Sequence, residues 1–151
     1  MRIHELEKLF KKEIYLDKIL EECQEDFEQI DYYAQTMKDG VTDIPEEAKT
    51  VLNKLTGIFM SLKVIGVIAE TEKKNRETRA YETLRIDTEN AGNKFVSSVA
   101  EKQASLEVAN YRRIRNIIQG YISACEKAIS TLQSVLKFMG EEMKIQGGKN
   151  D

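Results

Sequence analysis

The stretch IFMSLKVIGVIAETEKKNRETRAYETLR, residues 58–85, decides the fold. Its first part, Ile58 to Ala69, is apolar nearly all round. Its second part carries Lys73, Lys74, Arg76, Arg79 and Arg85, with no Pro or Gly between Ala69 and Arg85. The β-branched run KVIGVIA, residues 63–69, suits either a buried strand or a helix apolar on every side. A strand needs a partner, and no second good candidate stands in the sequence, so the chain reads as all-α.

Working upstream, TDIPEEA (42–48) supplies a helix start: Asp43 accepts from an amide three residues on, Glu46 reaches back, and Pro45 is tolerated in a first turn. Downstream, Gly92 in TENAGNK breaks the chain. A central helix is expected over 44–91, with a stripe of Leu52, Leu55, Phe59, Leu62 and Ala69 that runs into Lys73 and Arg76.

The segment before it carries Leu6, Leu9, Leu16, Leu20, Cys23, Phe27, Ile30, Ala34 and Met37 on a 3-4 alternation, with Glu13 the one exception. That spacing predicts an acidic N-terminal helix over 1–39, stopped by Gly40. After Gly92, a second capping box in Ser98 and Glu101 predicts a helix over 98–146, and its seam is Tyr111, Ile114, Ile118, Tyr121, Cys125, Ala128, Leu132, Val135 and Met139. Residues 147–151 read as a flexible tail. Two seams and an apolar central helix exceed what a thin three-helix monomer buries. The expectation is therefore one helical domain, 1–151, in a bundle or coiled-coil-like arrangement, assembled as a homo-oligomer through Ile114, Ile118, Tyr121, Cys125, Leu132, Val135 and Met139.

Composition agrees: 151 residues, 41% hydrophobic but 7% aromatic, no Trp and one Pro. No apolar h-region follows a basic start, and Ser61 and Lys63 interrupt the longest apolar run, so neither a signal peptide nor a membrane span is expected. Cys23 and Cys125 lack metal or redox spacing and read as buried free thiols in a reducing cytoplasm. The net charge of -3 is uneven: residues 1–50 hold 7 Lys and Arg against 14 Asp and Glu, whereas 70–115 hold 10 against 8.

No catalytic set emerges. The single histidine, His4, is terminal, Glu-x-x-His pairs are absent, and no phosphate-binding glycine loop occurs. The chain reads as non-enzymatic, without cofactor or metal. The basic block admits two readings. In one it is a solvated helix face, with Glu70–Lys74 and Glu72–Arg76 pairs at i, i+4 that leave Arg79 only Glu82 and give Arg85 little nearby. In the other, Lys73, Lys74, Arg76, Arg79, Tyr81 and Arg85 join a second cluster, Arg112, Arg113 and Arg115 beside Tyr111, to track single-stranded DNA by phosphate pairing and base stacking. Unpaired cations on one continuous surface favour the second reading, and cations each aimed at a carboxylate favour the first.

The N-terminus MRIHELEKLFKKEIYLD resembles the start of the phage recombination mediator family typified by UvsY, with Met1, Arg2, Leu6, Lys11, Lys12 and Asp17 matching and Ile3, Glu5, Glu13, Ile14, Tyr15 and Leu16 similar. Further on, TRAYET, with Arg79 and Tyr81, stands where the family has a basic, tyrosine-containing DNA-binding element, although Glu77 occupies a position that is basic there. The resemblance implies a cytoplasmic protein of a phage-infected or bacterial host cell. It implies a ring-like homo-oligomer, held by its C-terminal helix, that binds single-stranded DNA and helps a RecA-like recombinase load where a single-strand-binding protein sits. The acidic first third would then meet a basic partner protein or point away from the DNA. The alternatives are a helical coiled-coil structural or scaffolding protein, for example of a virus, with no nucleic-acid role, and a small helical regulator that inhibits another protein through its acidic helix.

Overall fold

The computed structural model describes residues 3–40 and 44–148. These are 92% helical, with no strand among them. Five helices follow in order: α1 (Ile3–Phe10), α2 (Leu16–Asp39), α3 (Pro45–Asn90), α4 (Ser97–Glu107) and α5 (Ala109–Gly147), with a 3-10 turn at Glu13–Tyr15 between α1 and α2. The ambiguous run at residues 63–69 is helical, in the middle of α3. Asp43 of the first capping box lies outside the described residues, as do Met1, Arg2 and residues 149–151 of the tail.

The N-terminal helix expected over 1–39 is two helices. Lys11, Lys12 and Glu13 interrupt the apolar stripe, and there the chain leaves the helix: Lys12 is extended, at φ -127 and ψ 126. Beyond the break the expected seam keeps Leu16, Cys23, Phe27 and Ile30, with Ile19 and Tyr33 buried in place of Leu20 and Ala34. Leu6, Phe10, Leu16, Ile19, Cys23, Phe27, Ile30 and Tyr33 are buried, whereas Leu20 is half-buried and Ala34 exposed.

Helix ends follow local chemistry. Gly40 ends α2 at φ 119. Gly92 ends α3 at φ 73, where the Gly92 and Asn93 amides donate to the carbonyls of Glu89 and Thr88, a Schellman closure that requires a left-handed residue. The expected Ser98–Glu101 capping box does not start α4. The helix begins at Ser97 after Val96, with no side-chain cap, beside Phe95, which packs edge-on to Tyr81 at 5.6 Å. The third expected helix, 98–146, is likewise divided at Val108, which has φ -100 and ψ 16.

The chain forms two compact units, Met1–Glu22 with Val64–Gln119, and Cys23–Lys63 with Gly120–Asp151. The core of the first holds Phe10, Leu16, Ile19, Ile65, Ala69, Ala104, Val108, Tyr111, Ile114 and Ile118. The core of the second holds Phe27, Ile30, Ala48, Leu55, Ile58, Leu62, Ile122 and Leu132, together with Cys23 and Cys125 as buried thiols. In this unit the Cys125 Sγ donates to the Leu55 carbonyl at 3.2 Å, and burial pushes its pKa up to about 11. Phe27 stacks on Tyr121 at 4.0 Å, and the Tyr121 hydroxyl donates to Asp31 at 3.0 Å.

These packings use up most of the seam expected to join subunits. Ile114, Ile118, Cys125 and Leu132 are buried within the chain itself, Tyr121 is engaged by Phe27 and Asp31, and Val135 and Met139 are half-buried. Exposed apolar side chains remain on several helices, among them Leu106 on α4, Phe138 and Met143 on α5, and a row on α3. The apolar stretch of α3 meets the length and composition of a membrane-crossing helix, contrary to the expectation drawn from Ser61 and Lys63, yet only 28% of it is buried. Met60, Val64 and Val67 are 64%, 46% and 58% exposed.

Candidate nucleic-acid interface

The two basic clusters meet in the first unit, on α3 and α5. Arg76 lies with its guanidinium 4.3 Å from the centre of the Tyr111 ring, and Arg115 reaches Glu70 at 2.9 Å. That Arg115 contact is purely electrostatic, because its buried Nε–H is not aligned for a hydrogen bond.

Once together, the cations are mostly neutralised by their own chain. Glu70 is a hub: one oxygen lies 3.5 Å from Lys73 and 3.8 Å from Lys74, and the other faces Arg115. Lys73, only 12% exposed along its side chain, also faces Glu77 at 3.9 Å. Arg85 lies 2.8 Å from Glu82 and 3.6 Å from Glu89, so the residue expected to have little nearby has two carboxylates, one turn away on either side. Arg113 pairs with Asp17 at 2.7 Å, a partner remote in sequence.

Two arginines serve the backbone. Arg76 donates from Nε to Glu72 at 3.1 Å and from Nη2 to the carbonyls of Phe10, at 3.4 Å, and Lys11. Those carbonyls end α1 and lack the next helical turn that would satisfy them. Arg112 does the same for α4, donating to the carbonyl and hydroxyl of Ser105 where the helix stops at Val108. Beside them, Asn110 donates to Glu13 at 2.6 Å. Tyr81 packs edge-on against Phe95.

Arg79 alone among the eight cations has no hydrogen bond or ion pair within the described residues, and it is exposed. It opens on a groove of about 380 Å³ that also holds Arg76, but Glu13, Asp87 and Glu107 line the same groove. A second groove of about 430 Å³ sets Lys73 and Lys74 against Glu77 and Glu101. Carboxylates equal or outnumber cations in both, so neither concentrates positive potential as a phosphate track does. The Tyr111 ring, which a base would need as a stacking face, is buried under Arg76; burial also raises its phenol pKa and leaves the hydroxyl without a partner.

Among the described residues, no group of three or more His, Cys, Asp or Glu side chains converges to hold a metal ion. His4, exposed in α1, lies 3.6 Å from Glu7. Comparisons with protein-family models, curated proteins and solved structures find no match.

The surface that sequence reading passed over is the outward face of α3. Thr50, Asn53, Gly57, Met60, Val64, Val67 and Thr71 are spaced 3-4 over about 30 Å of helix, none is charged, and Lys74 ends the series. All seven are exposed, and Val51 and Leu52 beside them are half-buried. The signal was present in the sequence as a second heptad stripe, masked by the apolar residues of the core stripe between its members.

Proposed function

We infer that the chain is a non-enzymatic helical assembly protein, of the coiled-coil structural or scaffolding kind. The observation that carries this reading is the uncharged outward stripe of α3, with Met60, Val64 and Val67 exposed, in a chain of which 32% is charged. Contiguous exposed apolar surface bounded by polar residues marks an interaction site. The basic block supports the same reading, since seven of its eight cations hold carboxylates, helix ends or Ser105. Sedimentation velocity with light scattering tests it: masses above that of a single chain, rising with concentration, are expected. A strict monomer up to the solubility limit would refute assembly by self-association.

A second reading keeps one supporting observation. Among the described residues Arg79 has no hydrogen bond or ion pair, and Lys74 and Arg113 are 70% and 49% exposed with surface carboxylates as partners. Such pairs are worth about 0–1 kcal/mol and yield readily to a phosphate. Under this reading the chain is a single-stranded-DNA-binding recombination mediator that helps a RecA-like recombinase displace a single-strand-binding protein, and a ring-like oligomer would multiply weak contacts. Arg79→Ala with Arg113→Ala would then abolish oligo-dT binding without changing stability.

A further inference from the structure

We propose that the C-terminal half of the outward stripe of α3, Met60 to Thr71, is covered by the same segment of a second copy, running antiparallel. This rests on the assembly reading and names its interface. α3 is one uninterrupted helix, so the stripe is a property of that helix alone. Within Met60 to Thr71, Val64 and Val67 stand at the centre, with Met60 on the N-terminal side and Thr71 on the other.

The flanking residues choose the orientation. In heptad terms Lys49, Thr56, Lys63 and Glu70 share one flank, and Lys54, Ser61 and Ile68 the other. Parallel pairing brings opposite flanks together and sets Lys49 against Lys54 of the second copy on both sides of the seam. Antiparallel pairing matches like flanks. With Val64 opposite Val67 of the second copy, Met60 meets Thr71, Ser61 gives room to Ile68, and Lys63 falls twice by symmetry beside Glu70, a carboxylate it shares with Lys73, Lys74 and Arg115 of that copy. Lys63 is exposed and has no ion pair in its own chain among the described residues. The self-matching of charge and side-chain size around one two-fold axis is what selects a second copy over another partner.

Cysteine cross-linking of the full chain tests this, since the native Cys23 and Cys125 are buried. Met60→Cys protein mixed with Thr71→Cys protein is expected to give a disulfide-linked dimer under mild oxidation, while neither variant cross-links alone. Val64→Asp with Val67→Asp, both at exposed positions, is expected to weaken self-association at least tenfold with the helical circular dichroism unchanged. Cross-linking of Met60→Cys alone would mean parallel pairing and overturn the proposal. An oligomer that gives no cross-link on mixing would overturn it while leaving the assembly reading intact. A monomer would remove both, and a monomer that co-sediments with anionic phospholipid vesicles would assign the stripe to a membrane surface instead.

Discussion

Replacing Arg76 by Ala removes three things at once: the donor to the Phe10 and Lys11 carbonyls, the pair with Glu72, and the cation over the Tyr111 ring. A hydrogen bond from a charged donor contributes about 1.5–3 kcal/mol net. A partly desolvated cation over an aromatic face adds about 0.5–2 kcal/mol, and a half-exposed ion pair about 0–1 kcal/mol. These overlap, because one rigid guanidinium makes all three, so a loss of about 2–4 kcal/mol is expected rather than their sum. The effect should also be local. α1 has eight residues, too few to persist without tertiary contacts. Urea unfolding followed by circular dichroism measures the first quantity, and limited trypsin digestion at Lys11 and Lys12 the second. Arg76→Lys keeps the charge but not the fork, and should recover only part of the loss. A variant within about 0.5 kcal/mol of the wild type, the range of an ordinary surface substitution, would refute the view that Arg76 is a structural clamp.

Other consequences are as direct. Ile118→Ala should cost about 2–5 kcal/mol by opening a cavity in the core of the first unit, and by the same amount at every protein concentration; a loss that grows on dilution would mean that Ile118 faces another subunit. Burial, helped by the Glu25 charge, raises the pKa of Asp26 above its ordinary 3.8. The folded state therefore holds that proton more tightly. The stabilising contribution is present below the unfolded pKa and lost as pH rises through the folded one, so Asp26→Asn should raise the urea midpoint at pH 7 and lose this advantage below about pH 3.8. Gly92→Ala forces a side chain into a left-handed conformation and should cost about 1–2 kcal/mol, read from the same unfolding curves.

The sequence carried the helix content and most of the helix ends. Pro45 and Gly92 bracket α3, Gly40 closes α2, and the choice of helix over strand at residues 63–69 followed from the lack of a second strand. Interruptions were harder to see. Glu13 was visible as the exception in the first seam, but only the packing of Phe10 and the extended Lys12 show that the exception is a break. The division at Val108 had no sequence signal beyond Arg112, whose role as a cap depends on where α4 stops.

The same divide runs through the candidate site. Pairs within one helix, Glu70 with Lys74 and Glu72 with Arg76, are legible from i, i+4 spacing, and Glu82 and Glu89 around Arg85 could have been found the same way. Asp17 opposite Arg113, Glu70 opposite Arg115 and the carbonyls capped by Arg76 are tertiary, and no local pattern announces them. Charge counts therefore overstated how much of the basic block is available to a ligand. The outward stripe was hidden for the opposite reason: a helix apolar on two faces looks like a fully buried one until its neighbours are known.

On the assembly reading, the basic block holds the fold together instead of holding a nucleic acid. Fluorescence anisotropy of a labelled oligo-dT across a salt series, with matched duplex as control, tests it most directly. No saturable binding is expected even at low salt, from protein that sedimentation shows to be assembled. Saturable, single-strand-preferring binding that weakens steeply with salt and is lost in Arg79→Ala would contradict it and make recombination mediation the better reading.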